Sequence, residues 1–294
     1  MKPANVLLFL LLIFVTYIGG FVSGVKKIFP YDIARQIKEQ IEKRNSKKNS
    51  GLDTCEIKKI LELPLFFSVV IGHAYGSPEK SSLDDFIASN VEHFLEKNKS
   101  KIKNIILTGD VFAVPTSSKW QELFTKFSKA NIYIAPGNHD ISRPDSKEIF
   151  LRNIFIKKNF PFVLSFHENI NMVVDDSISS NWGVSEDLML LLKNLSKENI
   201  FVARHNIPIL ELLHFANSRA GNPNIPLVRD FLNDFSENQN ITWIMGDGGA
   251  FEALPRLTCH TFKNHRFIIN GIGEVKNDTV LILHNGDIFS YIIR

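Results

Sequence analysis

Cysteine is scarce in this sequence, which has two among 294 residues and carries no internal repeat or low-complexity tract. Two cysteines are too few for a disulfide framework, and Cys55 and Cys259 lack the close spacing of a cysteine-based metal site. From the sequence alone, a single Cys55–Cys259 disulfide and two unlinked thiols stay open alternatives, because the distance between their Cα atoms is unknown.

An excess of one charge is also lacking. The formal net charge is +3, and the lysines are scattered along the chain without clustering beside aromatic residues. A nucleic-acid groove needs a basic surface of that clustered kind. We therefore predict no nucleic-acid partner. The hydrophobic content of 44% is sufficient for one sizeable core.

One long apolar run is present near the amino terminus, from Val6 to Val25, and Lys26 and Lys27 follow it. About 20 such residues can span a bilayer as a helix. We predict an uncleaved, single-pass signal anchor over residues 1–27. The alternative is a cleaved signal peptide, for which Val22–Gly24 is the nearest match to a cleavage site. The positive-inside count favours a cytosolic domain, whereas our expectation is an exported domain, periplasmic or extracytoplasmic.

The rest of the chain divides into a helical, charged linker over residues 28–63 and one domain over residues 64–294. In that domain, strand-like runs such as Leu65–Ile71 alternate with helix-period segments such as Leu83–Leu95. The tail has short β-rich runs separated by Asn-Asp and Asn-Gly turns, which predict antiparallel strands. The alternation predicts an α/β architecture.

Polar side chains that can bind a metal or transfer a proton directly follow the strand-like runs. In an open α/β sheet, residues just past the carboxyl ends of the strands meet at one rim, where ligands bind. Each residue alone is more often part of a turn or the surface. The set consists of His73, Asp110, Asn138, His139, Asp140, His205 and Asp247.

Taken in order, these segments form a recognisable pattern. It consists of Leu107-Thr108-Gly109-Asp110, Ala135-Pro136-Gly137-Asn138-His139-Asp140, His205 and Ile244-Met245-Gly246-Asp247. In this pattern the sequence resembles the calcineurin-like metallophosphoesterases, over roughly residues 64–293, and Gly-Asn-His-Asp is its most specific part. The resemblance implies an α/β/β/α sandwich of two mixed sheets.

The resemblance also implies a role for each site residue. In the family, two divalent ions share a bridging aspartate and promote attack of water on phosphorus. By position, Asp110 would be the bridge, and Asn138 and His205 would be ligands of one ion. His139 would be the general acid towards the leaving oxygen, with Asp140 orienting it.

The sequence departs from the family pattern at two places. Ile71 stands where the family has the aspartate of Asp-x-His, which leaves His73 there. Asp247 and two glycines replace a later pair of histidines. The first ion would keep only His73 and a share of Asp110, so we predict one divalent ion, Mn, Fe, Zn or Mg, and not two. A carboxylate in place of an imidazole shifts preference from Zn towards Mn, Mg or Ca.

Two functions follow from this reading. The first is a metal-dependent hydrolase of phosphomonoesters or phosphodiesters, anchored in a membrane and possessing a single ion site. The second is a catalytically inactive, membrane-tethered binding or assembly module that keeps the phosphoesterase scaffold, because fold does not dictate function. The retained Asn138, His139 and His205 favour the enzyme. The sequence indicates neither the individual substrate nor an oligomeric state.

Overall fold

The alternating strands and helices build two β-sheets that lie face to face. A computed structural model of the chain describes residues 51–78, 86–154, 159–167, 170–195, 199–217, 225–235, 239–251 and 253–293. Within these residues, twelve strands form one sheet of seven strands and one of five. The anchor predicted at residues 1–27 lies outside this part. Among the described residues, no helix combines the length and apolar character needed to cross a membrane.

The five-stranded sheet is mixed. Its strand order is β12-β11-β2-β3-β4. The strands β2, β3 and β4 run parallel, and the hairpin of β11 and β12 joins them antiparallel through β2. Its strands are β2 (Phe67–Ile71), β3 (Ile102–Leu107), β4 (Asn131–Ile134), β11 (Thr279–His284) and β12 (Asp287–Ile292).

The seven-stranded sheet is mixed as well, in the order β1-β9-β10-β8-β7-β6-β5. Its four central strands are parallel and the outer strands pair antiparallel. Its strands are β1 (Asp53–Thr54), β5 (Phe162–His167), β6 (Ile170–Val174), β7 (Asn199–Arg204), β8 (Asn240–Met245), β9 (Leu257–Phe262) and β10 (His265–Asn270).

Helices cover the outer face of each sheet. Two of them begin at hydroxyl caps: Thr116 accepts a bond from the N–H of Lys119, and Ser185 accepts one from the N–H of Leu188. The helices are α1 (Ser89–Asn98), α2 (Ser117–Lys126), α3 (Asn138–Ile141), α4 (Pro144–Asn153), α5 (Glu186–Asn194), a 3₁₀ helix (Leu210–Phe215) and α6 (Val228–Phe231).

Strand periodicity divides the core into layers. In β2, Val69 and Ile71 pack with α1, α2 and α4, whereas Val70 packs between the two sheets with Met172 and Phe201. Successive side chains of a strand point to opposite faces, so a sheet buried on both faces reads as a continuous apolar run. The layers are therefore helix, sheet, sheet and helix, and the predicted α/β class with two mixed sheets is confirmed.

Most predicted elements occur within a few residues of their expected bounds, but some were missed. The strand expected over Leu65–Ile71 begins at Phe67, the helical segment expected over Leu83–Leu95 overlaps α1, and the strands β5 and β9 were not predicted. The antiparallel tail contains the hairpin of β11 and β12, whose turn residues Asn285 and Gly286 both have positive φ, 50° and 90°. An Asn-Gly pair suits such a turn because both residues tolerate the left-handed region.

The segment before β2 belongs to the compact unit Gly51–Arg294. Residues 51–63 were predicted to be part of the linker. In the structure, β1 pairs with β9, and Cys55 and Cys259 form a disulfide, the alternative that the sequence had left open. Ile60 also donates its N–H to the carbonyl of Ser290 at 3.0 Å. These contacts tie the incoming chain to both sheets.

One buried histidine makes stability depend on pH. Burial, aided by the charge of Lys263, lowers the pKa of His265 from 6.5 to about 4, and the indole N–H of Trp243 donates to its Nδ1 at 3.3 Å. Between pH ~4 and ~6.5, His265 therefore stays neutral in the folded state, whereas the same residue is protonated in the unfolded state. The contribution of neutral His265 is fully present above pH ~6.5 and is lost as pH falls towards ~4, by about 2–3 kcal/mol.

We expect His265→Gln, which keeps an acceptor for Trp243, to flatten the dependence of unfolding free energy on pH over this window. Urea unfolding at several pH values between about 7 and 4 measures it. Parallel profiles for the variant and the parent protein would contradict the assignment.

Candidate metal centre

The ends of the parallel strands gather most of the predicted site residues at one rim. His73, Asp110 and Asn138 follow β2, β3 and β4 of the five-stranded sheet, and His205 and Asp247 follow β7 and β8 of the other sheet. A backbone hydrogen bond at the rim joins the two sheets, because the carbonyl of Gly72 accepts it from the N–H of Ile272. The rim is therefore built jointly by both sheets.

His205 lies at the centre of the cluster. Its Nε2 is 3.2 Å from Oδ1 of Asn138, 3.5 Å from Oδ1 of Asp110 and 3.9 Å from Oδ1 of Asp247. Ligand atoms bound to one ion at about 2.1 Å stand roughly 3.0–3.5 Å from each other in octahedral or tetrahedral geometry. The three oxygens are thus spaced around the imidazole nearly as ligands of a common ion would be.

His73 approaches the same carboxylate from the other side. Its Nε2 is 3.4 Å from Oδ2 of Asp110, so the two oxygens of Asp110 face two different imidazoles. Burial lowers the pKa of His73 to about 4, even though the charge of Asp110 opposes the shift. His73 is therefore neutral at neutral pH, as a metal ligand must be.

The backbone sets the tautomer of both histidines. Nδ1 of His205 lies 3.0 Å from the carbonyl of Thr108, and Nδ1 of His73 lies 2.8 Å from the carbonyl of Gly76. Because a carbonyl only accepts, each Nδ1 carries a proton and each Nε2 is directed at the carboxylate of Asp110. A nitrogen lone pair facing carboxylate oxygens is repelled unless a proton or a metal ion lies between them, and this arrangement is typical of metal sites.

Charge balance keeps Asp110 ionised. Burial raises the pKa of Asp110, but the neighbouring imidazoles, that of His205 foremost, outweigh burial and hold the pKa below its ordinary value. For His205 burial lowers the pKa, yet the carboxylates of Asp110 and Asp247 outweigh it and raise the pKa above its usual range. The centre is thus an anionic pocket that favours a cation.

Glycines give Asp110 its room. Gly109 and Asp110 both have left-handed φ, 85° and 52°, which turns the carboxylate into the rim. A Cβ on Gly137 would lie 2.2 Å from Oδ1 of Asp110, and one on Gly109 would lie 2.4 Å from Nδ1 of His205. Side chains at either position would therefore displace a candidate ligand.

Two positions that the sequence pattern expects to carry metal ligands have no ligand side chain in this chain. In the described part of the chain, no three His, Cys, Asp or Glu side chains form a metal-binding group by themselves. The amide oxygen of Asn138 lies 3.2 Å from Nε2 of His205 and adds a further candidate ligand. Ile71 is a fully buried strand residue, and Gly248 and Gly249 offer no side chain. On the side of the rim nearest His73, no ligand side chain stands at Ile71 or Gly249, where the family pattern would have one.

His139 stands at the solvent side of the rim. Its side chain is exposed, and its Nδ1 lies 2.9 Å from the carbonyl of Ala113. Its backbone N–H donates to Oδ1 of Asp110 at 3.0 Å, which fixes it beside the candidate ligands. With Nδ1 bonded to a carbonyl, Nε2 is the ring atom that can exchange a proton with a bound ligand.

Asp140 supports the site through the loops, and not through the ring that it was predicted to orient. It is fully buried, and its carboxylate accepts bonds from the N–H groups of Gly137 at 2.9 Å and Val111 at 3.2 Å. These bonds join the loop after β3 to the loop after β4. Burial and the nearby charge of Asp110 raise the pKa of Asp140 to about 7. The Ala113 carbonyl, not Asp140, holds the imidazole of His139.

Two features of the centre were missed from the sequence. The ring of Tyr75 lies between His73 and His139, at centroid distances of 4.4 and 5.1 Å, and its hydroxyl is 3.5 Å from Nε2 of His139. Its position two residues after His73 was the available signal. The second is the fully buried Arg204, whose Nη1 lies 3.4 Å from Oδ2 of Asp175.

The structure is a two-sheet α/β sandwich whose rim is lined by carboxylate, amide and imidazole groups, donors that suit a divalent metal ion. The family model of the calcineurin-like phosphoesterases matches residues 83–246, which is more than half of the chain. The chain belongs to the calcineurin-like phosphoesterase family, and the resemblance drawn from its motifs is confirmed. This family is generally dependent on divalent metal ions and hydrolyses phosphate esters.

A solved structure shares the fold at low sequence identity. The chain is similar to a purple acid phosphatase from yellow lupin (Lupinus luteus) seeds, with 11% identity and a TM-score of 0.52 over 79% of this chain and 54% of that one. It thus spans about half the length of the lupin protein. A phosphopantetheinyl hydrolase from Mycobacterium tuberculosis aligns with 11% identity and a TM-score of 0.41 over 71% of this chain and 90% of that one. Among curated protein sequences, none matches.

Proposed function

We propose that this protein hydrolyses phosphate esters with a single divalent ion held by Asp110, Asn138, His205 and Asp247. The observation that carries the proposal is the position of His205, whose Nδ1 is bonded to the Thr108 carbonyl while its Nε2 faces three side-chain oxygens. When bound, a divalent ion supplies positive charge that stabilises the negative charge developing on the phosphoryl oxygens and favours an ionised water.

The chain's own groups divide the remaining tasks. Asp110 and Asp247 supply negative charge and Asn138 supplies a neutral oxygen, a hard donor set that suits Mn or Mg. His139, held by the Ala113 carbonyl, presents Nε2 to the solvent side. In its protonated form it can pass the Nε2 proton to the leaving oxygen as the ester bond to phosphorus breaks, and it then stays neutral with its proton on Nδ1.

Metal binding by the full-length protein tests the proposal. After dialysis against Mn²⁺, we expect a single bound ion per chain and turnover of p-nitrophenyl phosphate or bis(p-nitrophenyl) phosphate. Asp110→Asn removes a charged ligand, so its affinity for Mn²⁺ should fall by more than about 100-fold. Asp287→Asn, which changes an exposed carboxylate in the β12 strand, is the matched control and should bind as the parent protein does.

A second function is favoured by the incomplete side of the rim. Ile71, Gly248 and Gly249 leave that side with His73 and a share of Asp110, as expected for a scaffold whose hydrolysis is no longer needed. If the purified chain binds no ion and shows no turnover with Mn, Fe, Zn or Mg, the protein is a membrane-tethered binding or assembly module of this fold.

The proposed setting is an exported domain on a single-pass anchor. The Cys55–Cys259 disulfide supports it, because disulfides persist in oxidising compartments and are rare in the cytosol. In protein isolated from cells under alkylating conditions, both cysteines should become reactive only after reduction. Free thiols before reduction would argue for the cytosolic orientation that the lysine count favours.

A further inference from the structure

Three exposed apolar side chains lie close together in sequence, just before the amino-terminal end of β2 and on either side of the exposed Glu62. Leu61, Leu65 and Phe66 expose 82%, 64% and 72% of their surfaces. A single exposed apolar side chain needs no explanation, but a group of large ones marks an interaction surface. We refer to Leu61, Leu65 and Phe66 as the apolar tip.

The backbone holds the tip in a strained conformation. Phe66 has a φ of 55°, in the left-handed region that a bulky non-glycine residue rarely adopts. The next residue, Phe67, is fully buried at the start of β2, so the chain reverses from an exposed to a buried ring in one step. Backbone strain is often found at functional sites, and here it holds the aromatic ring of Phe66 in solvent. The strain therefore indicates a functional role for that ring.

A basic cavity adjoins the tip. Its volume is about 410 Å³, and its lining includes Lys59, Leu61, His93, Lys97 and Tyr291. None of the described residues that line it is acidic. The nearby Glu96 is paired with Lys99 at 3.1 Å, which offsets part of its charge. The cavity thus combines cationic groups with apolar walls, as a phospholipid headgroup site would.

Hydrogen bonds connect the tip to the cavity. Phe67, next to the tip, donates its N–H to the carbonyl of Lys101 at 3.1 Å, and Lys101 donates its N–H to the carbonyl of Asn98 at 2.8 Å. Asn98 is part of the cavity wall. Leu61 belongs to the tip and also lines the cavity, so the apolar tip and the basic cavity adjoin each other.

This surface lies away from the metal centre. The tip precedes β2, whereas His73 follows it, and Asp110 follows the parallel neighbour β3. Strands rise about 3.3 Å per residue, so the two ends of these strands lie roughly 15–20 Å apart. A surface bound through the tip would leave the rim with the candidate ligands open.

We propose that the apolar tip and the basic cavity dock the domain onto an anionic phospholipid bilayer. The apolar side chains would enter the membrane interface, and Lys59 and Lys97 would meet lipid phosphates. The chain itself supports this occupant, because the apolar run Val6–Val25 precedes the tip in sequence and is predicted to anchor the protein in a membrane. Basic groups beside exposed aromatic and aliphatic side chains are the features that bind a membrane interface.

Photocrosslinking in the full-length protein tests the docking. We would place p-benzoylphenylalanine at position 66, or at position 65 as a second probe, and reconstitute the protein in vesicles of phosphatidylglycerol and phosphatidylcholine. Position 190 in α5, where Leu190 is 61% exposed, is the matched control. We expect phospholipid adducts at positions 66 and 65 and only background at position 190.

Charge dependence provides a second measurement. Each lysine near an anionic surface contributes about a fivefold gain in binding, so Lys59→Gln with Lys97→Gln should lower the adduct yield several-fold in phosphatidylglycerol vesicles and leave it unchanged in pure phosphatidylcholine. Adducts mapped to residues 1–50 of the same chain, to a second copy of the protein, or formed equally at positions 66 and 190 would overturn the proposal.

Discussion

Replacing His139 by alanine should lower phosphoester turnover by about 10²–10⁴-fold, the range by which a general acid or base contributes, while metal content and unfolding free energy stay unchanged. The stability expectation follows from the exposure of the side chain, whose ring has two polar contacts, the Ala113 carbonyl at 2.9 Å and the Tyr75 hydroxyl at 3.5 Å. The backbone bond from His139 to Asp110 does not depend on the side chain.

The dependence on the leaving group separates proton donation from a role in binding. An alkyl phosphate needs its leaving oxygen protonated, whereas p-nitrophenolate leaves readily without a proton. We therefore expect His139→Ala to lose more turnover with an alkyl phosphate than with p-nitrophenyl phosphate. The substitution should change kcat more than KM. His93→Ala, which alters another exposed histidine, is the control. An equal loss on both substrates would contradict the role of general acid.

Reducing the Cys55–Cys259 disulfide should lower the free energy of unfolding by about 3–5 kcal/mol. The two cysteines are 204 residues apart in sequence, so the bridge restricts nearly the whole domain in the unfolded state. Long closed loops give the largest effect on the entropy of the unfolded chain. The bridge also holds the segment with the edge strand β1 to its neighbour β9.

Urea unfolding of the same protein with and without reductant measures this effect without any substitution. The double variant Cys55→Ala with Cys259→Ala should match the reduced protein and should no longer respond to reductant. An unfolding midpoint that is insensitive to reductant in the parent protein would show that the bridge does not restrict the unfolded chain.

Parts of the fold that carry a strong periodic signal were predictable from sequence. Runs such as Val69–Ile71 and Ile200–Ala203 are apolar on both faces, as buried parallel strands are. The outer strands β5 and β9 escaped prediction because Ser165, Thr258 and His260 interrupt their apolar pattern. Such mixed strands are held by their pairing partners more than by their own composition.

The candidate site shows the same division. The sequence shows that four candidate ligands directly follow strand-like runs: Asp110, Asn138, His205 and Asp247. Their meeting at one rim could be predicted, because the carboxyl ends of parallel strands lie at the same edge of a sheet. The backbone partners of these residues could not be predicted. The carbonyls of Thr108 and Ala113 select the tautomers of His205 and His139. Because every residue type has a backbone carbonyl, the sequence does not indicate which carbonyl will be the acceptor.

The sequence by itself determined the α/β class, the family and the side chains that can form the rim, because these depend on local periodicity and on motifs of neighbouring residues. Only the tertiary structure decided that Cys55 meets Cys259, that Tyr75 lies between His73 and His139, and that Asp140 ties loops together. These contacts join residues from separate segments, and their distances depend on how all the layers pack.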